Sequence, residues 1–170
     1  MNVKQLIWNE RQSDDLFPLK TVCYAQTHNG NFLILKNTTD TEDDYILRFV
    51  FESGAGGNPE VPDRIFMAID TAKIDAQGAF QENLNACFQF LENIEEKWQG
   101  SEDTRWLSTP AGGIYLDSHY NDEDSEQLIW TLTGAIWAGP YDKSFDDLGE
   151  AKSFCEEKFK EQLAPWVSYD

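Results

Sequence analysis

Leu107-Ser108-Thr109-Pro110-Ala111-Gly112-Gly113-Ile114-Tyr115-Leu116 decides how the fold is read. A strand ends at Thr109, the Pro-Ala-Gly-Gly run turns the chain, and Ile114-Tyr115-Leu116 returns beside it. Proline and paired glycines punctuate strands in this way because they supply turn dihedrals that other residues resist. Further on, Asp122, Glu123, Asp124 and Glu126 form an acidic loop before the apolar run Leu128-Ile129-Trp130-Thr131-Leu132-Thr133. After Gly134 comes a short Ile136-Trp137-Ala138 segment, and Gly139-Pro140 turns the chain into a closing helix. That helix is expected to start at Ser144 as its cap, with Asp147 in the electropositive first turn. Leu148, Ala151, Cys155 and Phe159 would form its buried stripe, and Pro165 stops it. Trp166 is expected to dock the tail.

The preceding hundred residues read as a looser version of the same unit. Leu6-Ile7-Trp8 suggests an edge strand, 9–19 a loop, and 22–27 and 32–35 a pair of strands around His28-Asn29-Gly30-Asn31. Asn-Gly is expected to supply the positive φ values of a tight hairpin. Asp40, Glu42, Asp43 and Asp44 then precede the alternating strand Tyr45-Ile46-Leu47-Arg48-Phe49-Val50-Phe51. The glycine-rich run 53–62 lacks the Gly-Lys-Ser/Thr ending of a phosphate loop and no helix follows it directly. A short strand over 64–70 and a linker over 71–78 are expected next. A helix over 80–98 follows, with Phe80, Leu84, Cys87, Phe88, Leu91, Ile94 and Trp98 as its apolar stripe and Gly100 as its terminator.

Laid over itself at an offset of 82, the chain sets Thr27 on Thr109, Gly30 on Gly112 and Ile34 on Leu116. The first acidic run falls on the second. The short strand at Ile65-Phe66 meets Ile136-Trp137 at an offset of 71, and Leu84 and Cys87 meet Leu148 and Ala151 at 64. The strands after the acidic runs are out by one residue, which exchanges the two faces of a strand. The expected architecture is α+β: an antiparallel sheet with two amphipathic helices on one face. It divides into a first half over 1–100 and a second over 101–170, built as tandem units of three or four strands and a helix.

Charge narrows the function. Thirty-one Asp and Glu against thirteen Lys and Arg leave a formal net charge of −18 on 170 residues. Such a field repels nucleic acid and anionic membranes and draws in basic proteins. With 41% hydrophobic residues the chain can still fill a core, so disorder throughout is not expected. There is no secretory leader pattern and no apolar run of membrane-spanning length, and Cys23, Cys87 and Cys155 are odd in number and widely spaced. Reduced buried thiols in a cytoplasmic protein are the expectation.

No cofactor is expected and no catalytic motif is present. Cys23 and His28 lie close in sequence without a surrounding signature, and paired metal-ligand spacings are absent. The acidic runs lack the central glycine of a helix–loop–helix calcium loop, and among 31 acids, glycosidase-like pairs arise by chance. Acid runs are most often solvated faces. Two runs at matching places suggest instead a rigid array of carboxylates that imitates a phosphate backbone. The expected partner-binding residues are therefore Asp40, Glu42, Asp43, Asp44, Asp122, Glu123, Asp124 and Glu126, and the partner is a basic protein such as a nuclease toxin or nucleic-acid-handling enzyme. Inhibitors of the nucleic-acid-mimic or immunity-protein type share this physical logic. Two other readings stand beside it: a small-molecule-binding module or enzyme with a site between sheet and helices or under the Gly54–Pro62 loop, and a structural or oligomeric accessory protein.

Overall fold

A computed structural model describes residues 2–16, 19–38, 44–51, 61–120, 127–133 and 143–169, with only the backbone described at 11–16, 51 and 133. The architecture is α+β. Strand β1 (Asn2–Val3) is followed by β2 (Trp8–Leu16), β3 (Leu19–Gln26), β4 (Gly30–Asn37), β5 (Tyr45–Phe51) and β6 (Arg64–Phe66), then helix α1 (Ile69–Leu91). A 3-10 turn over Ile94–Lys97 leads into β7 (Gln99–Gly100), β8 (Thr104–Thr109), β9 (Gly112–Tyr120), β10 (Leu128–Thr133) and β11 (Ser144–Phe145). Helix α2 (Leu148–Leu163), a 3-10 turn at Ala164–Trp166 and β12 (Val167–Ser168) complete the chain.

The strands fall into two five-stranded antiparallel meanders, β2-β3-β4-β5-β6 and β7-β8-β9-β10-β11, each in chain order and each followed by its helix. α1 packs on the first sheet and α2 on the second. One continuous core joins them, running through Ile34, Phe80, Leu84, Leu107, Ile114, Leu116, Phe159 and Leu163. β1 pairs with β12 (Asn2 with Ser168), so the two ends of the chain are tied together. Trp166 packs against Phe80 with ring centroids 5.4 Å apart, and the tail docks through it.

Several local expectations are corrected. Residues 9–16 form β2 rather than a loop. Charged residues are tolerated on an edge strand, and the register against β3 shifts twice along it. The run at 6–8 is not itself a strand: Leu6 is buried, and β2 starts at Trp8. α1 begins at Ile69, so 71–78 is helix and the strand before it ends at Phe66. Its buried stripe is Ala72, Ala76, Phe80, Leu84 and Cys87. Two alanines carry the first turns of that stripe, and they bury too little side chain to register as an apolar face. Gly78 lies on the exposed side, where an added Cβ would meet nothing within 4 Å. It costs about 1 kcal/mol of helix propensity without breaking the helix.

The far end of α1 also differs. It stops at Leu91, and Trp98 sits in extended backbone. Gly100 is no helix terminator. Its φ of 132° and the approach of the Thr104 carbonyl, 2.0 Å from where a Cβ would stand, make it the hinge between β7 and β8. Gly30 has no positive φ, so the first hairpin is not the expected Asn-Gly turn. Thr27 closes it instead: its amide and hydroxyl both donate to the Gly30 carbonyl, at 2.8 and 2.9 Å. Ser144 belongs to β11, and Asp147 is the cap of α2, accepting from the Glu150 amide at 3.0 Å.

Several features recur in the two halves, although Gly112 has a φ of 131° and Gly30 has no positive φ. Thr109 donates to the Gly112 carbonyl at 2.9 Å, as Thr27 does to Gly30 82 residues earlier. The helix starts, Ile69 and Leu148, differ by 79 rather than 64. At that offset Phe66, Ala72, Lys73, Phe80, Glu82 and Leu84 meet the identical residues Phe145, Ala151, Lys152, Phe159, Glu161 and Leu163. Of the expected pairing of Ile65-Phe66 with Ile136-Trp137, Ile136 and Trp137 lie outside the described residues; β6 ends at Phe66 and β11 at Phe145. The helices are cross-linked to the opposite hairpins: Asn83 donates to the Pro110 carbonyl at 3.0 Å, and Gln162 donates to the His28 carbonyl. Lys73 stands 5.8 Å from the Trp8 ring and Lys152 stands 5.6 Å from the Trp98 ring, each pair joining a helix to the start of its own sheet.

Candidate functional site

Each acidic run bridges the third and fourth strands of its sheet. β4 and β5 pair as far as Lys36 with Tyr45, and β9 and β10 as far as Tyr120 with Leu128. Asp40, Glu42, Asp43, Asp122, Glu123, Asp124 and Glu126 themselves lie outside the described residues. Asp44 is described; it is half-buried immediately before β5.

Seven of the described carboxylates gather in two grooves beside α2. Glu92, Glu95 and Glu96, from the end of α1 and the 3-10 turn, share a groove with Glu156 and a single cation, Lys160. On another flank of α2, Asp146, Glu150 and Glu157 surround a second groove with Lys143. Helical spacing explains the gathering. Ala151, Cys155, Phe159 and Leu163 turn α2 inward, and that leaves Glu150, Glu157 and Glu161 exposed. The sequence displays these acids as pairs, but their convergence from separate elements is a tertiary property.

The two histidines behave differently. His119 is exposed on β9, with Nδ1 3.5 Å from the Thr131 hydroxyl. His28 is buried in the first hairpin, and its Nε2 lies 3.8 Å from the Cys87 sulfur on α1. The thiol beside His28 is thus Cys87 and not its sequence neighbour Cys23, which faces the core from β3. Burial pushes the His28 imidazole down to about 4 and the Cys87 thiol up to about 12. Both groups are held neutral, the opposite of the thiolate–imidazolium pair that nucleophilic catalysis uses. Cys155 is likewise pushed up to about 12 by burial. Among the described residues, no group of three His, Cys, Asp or Glu is arranged to hold a metal ion, and no helix is long and apolar enough to cross a membrane.

A cavity of about 330 Å³ lies between the first sheet and α1, beside the first hairpin turn. Phe32, Phe49 and Phe80 line it, with Asn29, Arg64 and Glu82 among its polar groups. Nearby, Arg48 holds Asp63 through two hydrogen bonds of 2.9 and 2.6 Å, and this pairing lowers the Asp63 carboxyl below its ordinary range. That ion pair joins the two chain ends on either side of 52–60. Asn29 and Asn83 carry no signal in the sequence, because hairpin and helix meet only in the fold.

Compared with known proteins, the chain matches no family model, no curated protein and no solved structure.

Proposed function

We propose that this chain is a non-enzymatic protein that binds, and blocks, a basic partner through its acidic surface. The partner fits the description of a nuclease toxin or another nucleic-acid-handling enzyme, and the setting is the cytoplasm. The observation that carries the reading is the charge. If every one of the 13 Lys and Arg were paired internally, 18 carboxylates would still face outward uncompensated. Two acidic runs at equivalent hairpins, and acids from separate elements converging on α2, support a patterned surface over an evenly solvated one. A basic nucleic-acid groove would meet there the charge it normally takes from phosphates. The test is the rate at which a partner recovered from the native cell associates, read against ionic strength for the natural chain and a variant with its acidic runs neutralised.

The chain reads further as a tandem duplication with halves at 1–100 and 101–170. The identities at an offset of 79, the repeated threonine-closed hairpin, the reciprocal amide bonds from helix to opposite hairpin and the two lysine–tryptophan pairs support it. A duplicated scaffold would present its two acidic hairpins as a repeated motif, as a phosphate backbone presents its charges.

A further inference from the structure

We infer that the cavity between α1 and the first sheet is a binding site for a small molecule with a flat apolar body and one hydrogen-bond-accepting, anionic head group. The volume, about 330 Å³, suits a two- or three-ring body. Its walls are aromatic and fixed. Phe32 and Phe49 meet edge to face at 4.7 Å, and Phe80 is held from behind by Trp166 and His28. The polar groups are placed by the hairpin and by β6, and the donor is Arg64. The Asn29 carboxamide lies 3.1 Å from the Thr27 hydroxyl, whose one proton goes to the Gly30 carbonyl, and Asn29 also lines the cavity as a polar group. Arg64 is anchored by one nitrogen to Asp75 at 2.5 Å and keeps its other N–H groups. Glu82 also lines the site and repels an anion, so the head group sits on the Arg64 side.

The second half carries different residues at two of these positions. Where α1 has Ala79, α2 has Lys158, whose ammonium pairs with Glu161 at 2.5 Å and stands over Phe154. Where the first hairpin has Asn29, the second has the fully buried Ala111. At these two positions the first half carries Ala79 and Asn29, and both line the cavity.

Two fluorescent probes test the site on the full chain: 8-anilinonaphthalene-1-sulfonate, an aromatic anion, and N-phenyl-1-naphthylamine, its neutral relative. The native protein is expected to bind each saturably, one to one. Filling the cavity by Ala79→Leu, or by the more adaptable Ala79→Met, should weaken both at least about tenfold while the thermal transition is kept. Arg64→Gln should weaken the sulfonate at least about threefold and leave the neutral probe within about twofold. Absence of saturable binding, or binding unaffected in a folded Ala79 variant, overturns the site. Equal weakening of both probes by Arg64→Gln overturns the head-group assignment.

Discussion

At the scale of single residues, His28 converts burial into a pH dependence. The folded chain keeps the imidazole neutral down to about 4, whereas the unfolded chain takes up a proton near the ordinary value of 6.5. Between those values the unfolded state binds more protons, so acidification favours it; above 6.5 this group contributes no dependence. The full effect is on the order of 3 kcal/mol. In urea titrations, the stability of His28→Leu relative to the natural protein should rise by about 2–3 kcal/mol between pH 7 and pH 4.5. The carboxylates titrate in both proteins and cancel in the difference. An unchanged difference would mean that His28 is protonated in the fold. The helix cap is a second residue-scale matter. Asp147→Ala should cost about 1 kcal/mol, because the Glu150 amide loses its acceptor. Ser144→Ala should stay within about 0.5 kcal/mol, since Ser144 sits in β11 with its exposed hydroxyl near Thr131. Sequence alone favoured Ser144 as cap because both residues are good caps, and only the backbone shows where helical dihedrals begin.

At the scale of elements, strong alternation and broad stripes were legible, and marginal segments were not. Tyr45 to Phe51 and Leu128 to Thr133 appear as strands where periodicity placed them. β2 was hidden because an edge strand needs only one apolar face, and the first half of α1 because alanines form its stripe. Those same alanines conceal the offset of 79, so the helix correspondence emerges only when both helix starts are known. If the units are interchangeable, residues 66–84 can be replaced by the sequence of 145–163. The replacement keeps Phe66, Ala72, Phe80 and Leu84, exchanges Asn83 for Gln at the bond to Pro110, and brings the cap of α2 in place of Ala68. Chemical denaturation should show one cooperative transition within about 3 kcal/mol of the natural protein. Loss of cooperative unfolding would contradict equivalence of the two helices.

At the scale of the whole molecule, charge and fold class were legible and the meeting of separate elements was not. A sum of carboxylates needs no coordinates, whereas the gathering of Glu92, Glu95, Glu96 and Glu156 depends on how α1 and α2 meet. A field of −18 acts before contact, so its signature is kinetic. The most direct measurement is the association rate of a partner recovered from the native cell, followed from about 50 to about 500 mM salt. Steering through the acidic hairpins predicts a rate falling at least about tenfold over that range. It also predicts a slower, flatter profile when Asp40, Glu42, Asp43, Asp44, Asp122, Glu123, Asp124 and Glu126 become Asn or Gln. A rate independent of salt, or a profile unchanged by those substitutions, would contradict binding through the acidic surface.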